Sequence, residues 1–231
     1  MTSLRSWVVA LPKLMPAHAQ QTSMPMIGFL SSRSPGESAN VLAAFRKGLR
    51  ETGFVEGQNL AIALRWAEGR YDQLPGLAAE LFGLRVTALF AAGGPPAALA
   101  AKAATSTIPV VFSAVAEPVQ LGLVASLNRP GGNVTGMSNF ANELWAKNVQ
   151  LVKELVPTAA MIGYLVNPST PNSEIYLKGA AAASSVTGID VHVLKASTEP
   201  ELDEAFASLV KLGAGGHVVP NEPFFDSKRD G

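Results

Sequence analysis

Two series of alternating strand and helix flank the glycine-rich stretch Asn128-Arg-Pro-Gly-Gly-Asn-Val-Thr-Gly136, and this arrangement limits the possible folds more than any other feature. Before it, Met26–Leu30, Asn59–Trp66, Val86–Ala91 and Pro109–Phe112 read as strands. They alternate with helical patterns at Ser34–Gly53, Asp72–Phe82, Gly93–Ala104 and Val119–Leu127. After it, helices over Asn142–Leu155, Asn172–Thr187 and Glu199–Leu212 alternate with strands at Ala160–Val166, Ile189–Leu194 and His217–Pro220. Such alternation dictates parallel sheets with helices on both faces. The expected fold is therefore α/β in two lobes, residues 25–136 and 137–231, behind a distinct segment 1–24. Gly131, Gly132 and Gly136 offer backbone rotation between the lobes, and the same glycines also suit an ordinary surface loop.

Local punctuation supports these elements. Ser34-Pro-Gly-Glu37 combines a capping hydroxyl, a proline suited to the first helical position and a carboxylate where a capping box wants one. Gly53 and Gly188 are placed to stop helices. Trp66 and Trp145 read as packing residues, and His192 and His217 as strand residues rather than bases.

Composition excludes several chemistries. Apolar residues make up 48% of the 231 residues and charged ones 16%, which suits a packed globular chain. The formal net charge is zero, so nothing invites nucleic acid or an anionic membrane surface. With no cysteine there is no disulfide, thiolate metal site or cysteine nucleophile. The three histidines, His18, His192 and His217, lack metal-ligand spacing, so no metal or cofactor is expected. G-x-G-x-x-G after the first strand, G-x-x-x-x-G-K-[ST], G-x-S-x-G and H-E-x-x-H are all missing.

The first residues resemble an atypical export signal. Arg5 is followed by the short apolar run Trp7–Leu11 and by Ala17-His-Ala19, which fits a small-x-small cleavage site. Pro12, Lys13 and Pro16 interrupt the apolar run. No later stretch approaches the ~20 uninterrupted apolar residues of a membrane span. A periplasmic location without membrane insertion is the expectation. The chain stops at Asp230-Gly231 and reads as C-terminally truncated, since no segment returns to the first lobe.

In open parallel sheets, ligands bind beyond the carboxyl ends of the strands. The loops at those ends supply the candidate site: Ser31, Ser32, Arg33, Gly93, Gly94, Ala97, Glu117 and Asn139 from the first half, and Asn167, Ser169, Asn172 and Asn221 from the second. Helix starts and backbone N–H groups there favour a carboxylate or another anion. Ser32 and Arg33 would sit near one end of a ligand, Gly94 and Ala97 would offer backbone donors, and Glu117 would order the inter-lobe loop. Each also has a purely structural reading: serines and asparagines as caps and turns, the glycines as tight turns, Arg33 and Glu117 as solvated charges. No catalytic residue is assigned.

Several longer motifs carry a family resemblance. Ile27–Pro35, Ala44–Asn59, Arg65-Trp-Ala-Glu-Gly69, Pro95–Pro109, Leu121–Gly136, Glu154-Leu-Val-Pro157 and Val166-Asn-Pro168 resemble the ABC transporter substrate-binding protein family that includes tryptophan- and tyrosine-binding members. The resemblance implies a type I periplasmic-binding fold. It implies a solute, an amino acid or small carboxylate-type metabolite, captured between the lobes and passed to a permease driven by a separate ATPase. Pro95 stands where relatives often carry a hydroxyl, and Glu117-Pro118 where they often carry Asp-Pro. Both departures argue against carrying over an aromatic amino acid as ligand. One alternative is a small isomerase- or racemase-like enzyme in the same cleft, using Glu117 with Glu222 as acid and base. The other is a regulator's effector domain, which would need a DNA-binding module ahead of Met26.

Overall fold

A computed structural model describes residues 24–139 and 145–228, with the side chains of Trp145 and Ala146 outside that description. The first sheet holds β1 (Met26–Ser31), β2 (Ala61–Trp66), β3 (Ala88–Ala92), β4 (Val110–Ala116) and β5 (Val134–Asn139) in the order β2-β1-β3-β4-β5. The second holds β6 (Met161–Val166), β7 (Asp190–Lys195) and β8 (His217–Val218) in the order β7-β6-β8. Every pairing is parallel. The helices are α1 (Ala39–Glu51), α2 (Leu74–Gly83), α3 (Pro95–Ala104), α4 (Trp145–Leu155), α5 (Ser173–Thr187), α6 (Glu199–Leu212) and a single turn α7 (Pro223–Asp226). The first sheet with α1–α3 forms one lobe and the second sheet with α4–α7 the other.

Strand alternation decides what each face buries. In the first lobe, Leu30, Leu89, Ala91, Val110 and Phe112 meet Leu74, Ala78 and Leu81 of α2 and the alanines of α3. Phe29 and Phe90 point to the opposite face, where Phe45 of α1 lies 5.6 and 4.5 Å away between ring centroids. Trp66 packs on Phe29 at 5.2 Å, in keeping with a packing role. In the second lobe Ile162, Tyr164 and Val166 face α4 and α5, while Leu165 and Leu194 face α6 and α7. His217 lies edge-on to Phe206.

Four expectations need correction. Gly136 is no rotating joint: it lies inside β5, directly opposite Phe112. A methyl there would sit 2.3 Å from the Phe112 carbonyl oxygen, so glycine is required by close approach rather than by motion. Strand β4 does not stop at Phe112 but continues through a bulge between Phe112 and Val115 to Ala116. Val119–Leu127 is a chain of turns instead of a helix, with Gly122 at φ +66° breaking the periodicity. The start of α1 is Ala39, with Ser38 at the cap. The Ser34–Glu37 capping box does form, with Ser34 N–H donating to Glu37 Oε2 at 2.8 Å, but it closes a turn one step earlier. All but the last residue of the export-signal segment 1–24, the start of the 142–155 helix and the Trp145 side chain lie outside the described residues.

Candidate solute site

The order β2-β1-β3 reverses direction between β1 and β3, which makes that crevice the expected ligand position. A cavity of about 170 Å³ opens there, walled by both lobes. The first lobe contributes Arg33 after β1, Gly93 and Gly94 after β3, Ser113 and Ala114 of β4, and Asn139 at the end of β5. The second contributes Asn172 and Tyr176 at the start of α5, and Asn221 and Pro223 after β8. A second cavity of about 330 Å³ shares Arg33 and Pro223 with it.

Local chemistry explains why these residues reach the wall. Gly93 and Gly94 take φ of +82° and +90°, and a side chain at Gly93 would strike Ser32 Oγ at 2.3 Å. A side chain at Gly94 would come within 3.6 Å of the Pro223 ring, so the start of α3 lies close against the other lobe. Pro95 and Pro96 follow, so the first turn of α3 carries no amide hydrogen until Ala97. The bulge in β4 places Ala114, which lines the cavity, at φ +53°. Asn139 donates from Nδ2 to the Ala114 carbonyl at 3.3 Å. Its buried Oδ1 has no hydrogen-bond partner among the described residues. That oxygen can accept a hydrogen bond.

Six of the twelve expected site residues therefore meet at the cavity: Arg33, Gly93, Gly94, Asn139, Asn172 and Asn221. The others do not line it. Ser31 and Ser32 are fully buried; Ser31 pairs with the Ser38 hydroxyl and Ser32 donates to the Gly93 carbonyl. Ala97 is buried inside the α3 contact with the core. Asn167 is spent internally: its oxygen accepts from Ser169 N–H at 2.9 Å and its amide donates to Glu222 at 3.3 Å. Ser169 is exposed, and Glu117 is absent from the wall. Asn172 occupies the cap position of α5 but makes no side-chain cap bond; its oxygen accepts from the Thr170 hydroxyl at 2.6 Å.

Residue typing overlooked Tyr71, Tyr176, Asp226 and the true place of Glu222. Glu222 is completely buried and caps α7, its Oε2 accepting from the N–H groups of Phe224 and Phe225. Its Oε1 accepts from the Tyr71 hydroxyl at 2.6 Å. Burial raises the Glu222 pKa against the pull of these donors. Burial, with the neighbouring carboxylate, holds the Tyr71 hydroxyl firmly protonated. Burial likewise pushes Tyr176 up to about 12, and its hydroxyl approaches the Asn221 carbonyl at 3.5 Å. Arg33 donates to Asp226 at 2.5 Å across the lobes. The signals available in sequence were Glu222 one residue before a proline at a strand end, and Asp226 four residues on.

Neither Glu117 nor Glu222 lines the cavity, and four donors already occupy the Glu222 carboxylate, so the acid–base pair of the enzyme reading is not assembled there. Among the described residues no cluster of His, Asp and Glu could hold a metal, and no helix is long and apolar enough to cross a membrane.

Residues 35–221 match the family described as ABC transporter substrate binding protein. The chain belongs to that family. It is 34% identical over 166 residues to a tyrosine-binding protein from Clostridioides difficile (strain R20291). That match covers 72% of this chain and 47% of the relative, so the chain spans about half its length. The ABC domain from Streptococcus pneumoniae solved in complex with L-Trp superposes with a TM-score of 0.76 at 26% identity, covering 89% of this chain and 68% of that one. A leucine-binding protein from Thermotoga maritima superposes with a TM-score of 0.64 at 12% identity, covering 84% and 55%, a likeness of fold alone. The fold is thus of the two-lobed, type I periplasmic-binding kind, and the relatives are named as binding proteins, not enzymes.

Proposed function

We propose that this chain is the solute-capturing component of an ABC uptake system. It holds a small solute, an amino acid or a small carboxylate-type metabolite, in the cavity between the lobes and hands it to a membrane permease driven by a separate ATPase. Capture takes place after export, in the periplasm. The observation that carries this reading is the composition of the cavity wall: Arg33, Gly94 and Asn139 from one lobe face Asn172, Tyr176 and Asn221 from the other. A solute touching both sets stabilises the lobes together by its differential affinity for that arrangement. Arg33 and the N-terminal end of α3 suit an anionic group, while the Asn139 oxygen suits a donor such as an ammonium or hydroxyl.

The test is a thermal-shift panel of L-amino acids and small carboxylic acids. A ligand at one hundred times its Kd stabilises by about 2.7 kcal/mol, a shift easily read. Asn172→Ala and Arg33→Ala are expected to weaken the best hit at least tenfold. A hit whose affinity survives both substitutions would place the solute elsewhere, and a panel without any hit would count against both named classes.

A further inference from the structure

One short segment of the second lobe, Asn221–Asp226, is gripped by two side chains of the first. Tyr71, in a 3-10 turn (Tyr71–Gln73) after β2, donates its hydroxyl to Glu222 Oε1 at 2.6 Å across a sequence separation of 151 residues. Arg33, after β1, donates to Asp226 Oδ2 at 2.5 Å across 193 residues. Between these two links lies Pro223, which faces Gly94 and lines both inter-lobe cavities.

The four bonds to Glu222 have a particular arrangement. Oε2 is taken by the segment's own backbone, the N–H groups of Phe224 and Phe225 at 2.9 and 3.3 Å. Oε1 is shared between Tyr71 of the first lobe and Asn167 of the second. The carboxylate is completely buried, so each donor removed leaves a desolvated oxygen with less compensation. Separating the lobes breaks the Tyr71 bond and leaves the Asn167 and backbone bonds intact. The bond strength therefore bears on the inter-lobe equilibrium and not on the fold of the second lobe.

We propose that Tyr71 and Glu222, reinforced by Arg33 and Asp226, form a solute-independent clasp that holds the lobes together and fixes Asn221 and Pro223 in the cavity wall. Tyr71 and Glu222 are positioning residues: neither lines the cavity, and both act through the segment that does. The consequence for affinity rests on the solute-capture reading. A site competent only when the lobes meet binds with an apparent Kd divided by the fraction of molecules already so arranged. A clasp that raises this fraction tightens binding without touching the solute.

The chain contains no cysteine, so Glu51→Cys on α1 and Val210→Cys on α6, both at exposed positions, give a unique pair for spin or dye labels. Inter-lobe distances are then measured on the full chain without any solute. The parent is expected to show one main distance. Tyr71→Phe, which keeps the ring and deletes the hydroxyl, is expected to raise the ratio of separated to joined molecules about tenfold, with an unchanged circular dichroism spectrum. Asp226→Asn is expected to shift the same ratio less, since Arg33 and Asp226 remain partly solvated, at 26% and 11% exposure. Unchanged distances in a folded Tyr71→Phe protein overturn the clasp. Failure of Tyr71→Phe to fold overturns it too, because the hydroxyl would then serve the core. No solute enters this measurement, so a failed ligand panel leaves the clasp standing, and unchanged distances leave solute capture standing.

Discussion

Gly136→Ala distinguishes a hinge glycine from a packing glycine. The added methyl carbon would lie 2.3 Å from the Phe112 carbonyl oxygen and 2.5 and 2.6 Å from its ring carbons Cγ and Cδ2. Contacts this short must open by about an ångström, and the obstructing oxygen belongs to the paired strand, so it cannot swing aside. Phe112 is only 3% exposed and packs in the first-lobe core, which blocks the ring from yielding cheaply. Overpacking of this kind costs about 1–3 kcal/mol, and the backbone clash puts this site at the upper end, about 3 kcal/mol. For a chain of this size that is a fall in Tm of roughly 6–12 °C. The assay is urea unfolding followed by circular dichroism, in which the midpoint should fall while the slope stays constant. Gly132→Ala is the internal control: nothing lies within 4 Å of its added methyl, so the change should stay within about 0.5 kcal/mol. A loss below about 1 kcal/mol for Gly136→Ala would falsify the close β4–β5 approach and restore the hinge reading.

Two further outcomes follow from groups already described. The buried Glu222 carboxyl has a raised pKa in the fold, so its favourable contribution is complete below the ordinary carboxylate range and is lost as pH rises through the raised value. Tyr71 and Tyr176 are the titratable groups that interact with it, while Arg33 acts on Tyr71 and Asp226 on Tyr176. In urea titrations across the acidic to neutral range, the stability advantage of the parent over Glu222→Gln should shrink with rising pH; an advantage that stays constant or grows contradicts the assignment. Thr198, whose hydroxyl caps α6 by accepting from Glu201 N–H, should cost about 1 kcal/mol on replacement by Ala, read as a lower unfolding midpoint.

Periodicity made the two parallel sheets legible, because buried strands and amphipathic helices leave different spacings. Strand ends were legible too, and through them six of the residues that line the cavity, from Arg33 to Asn221. What escaped was anything decided by contacts between distant segments. Asn167 looks in sequence like a free amide at a strand end, yet Glu222 and Ser169 consume it. Glu222 offers itself in sequence as an acid–base partner for Glu117, yet it is buried as a helix cap and bonded to Tyr71 from the other lobe. Gly136 sits among loop-forming residues, and only its register opposite Phe112 reveals its purpose. Val119–Leu127 has helical spacing, but Gly122 takes a conformation that no helix accepts.

The paired prolines that open α3 have a consequence for discrimination. A negative group resting against that end of the helix would feel the aligned peptide dipoles but would find only sparse amide hydrogens to fix its direction. Attraction without directional bonding sorts guests by charge and leaves their orientation loosely governed. For the proposed solute, shape selection would then fall to the asparagine-bearing rim contributed by the opposite half of the molecule.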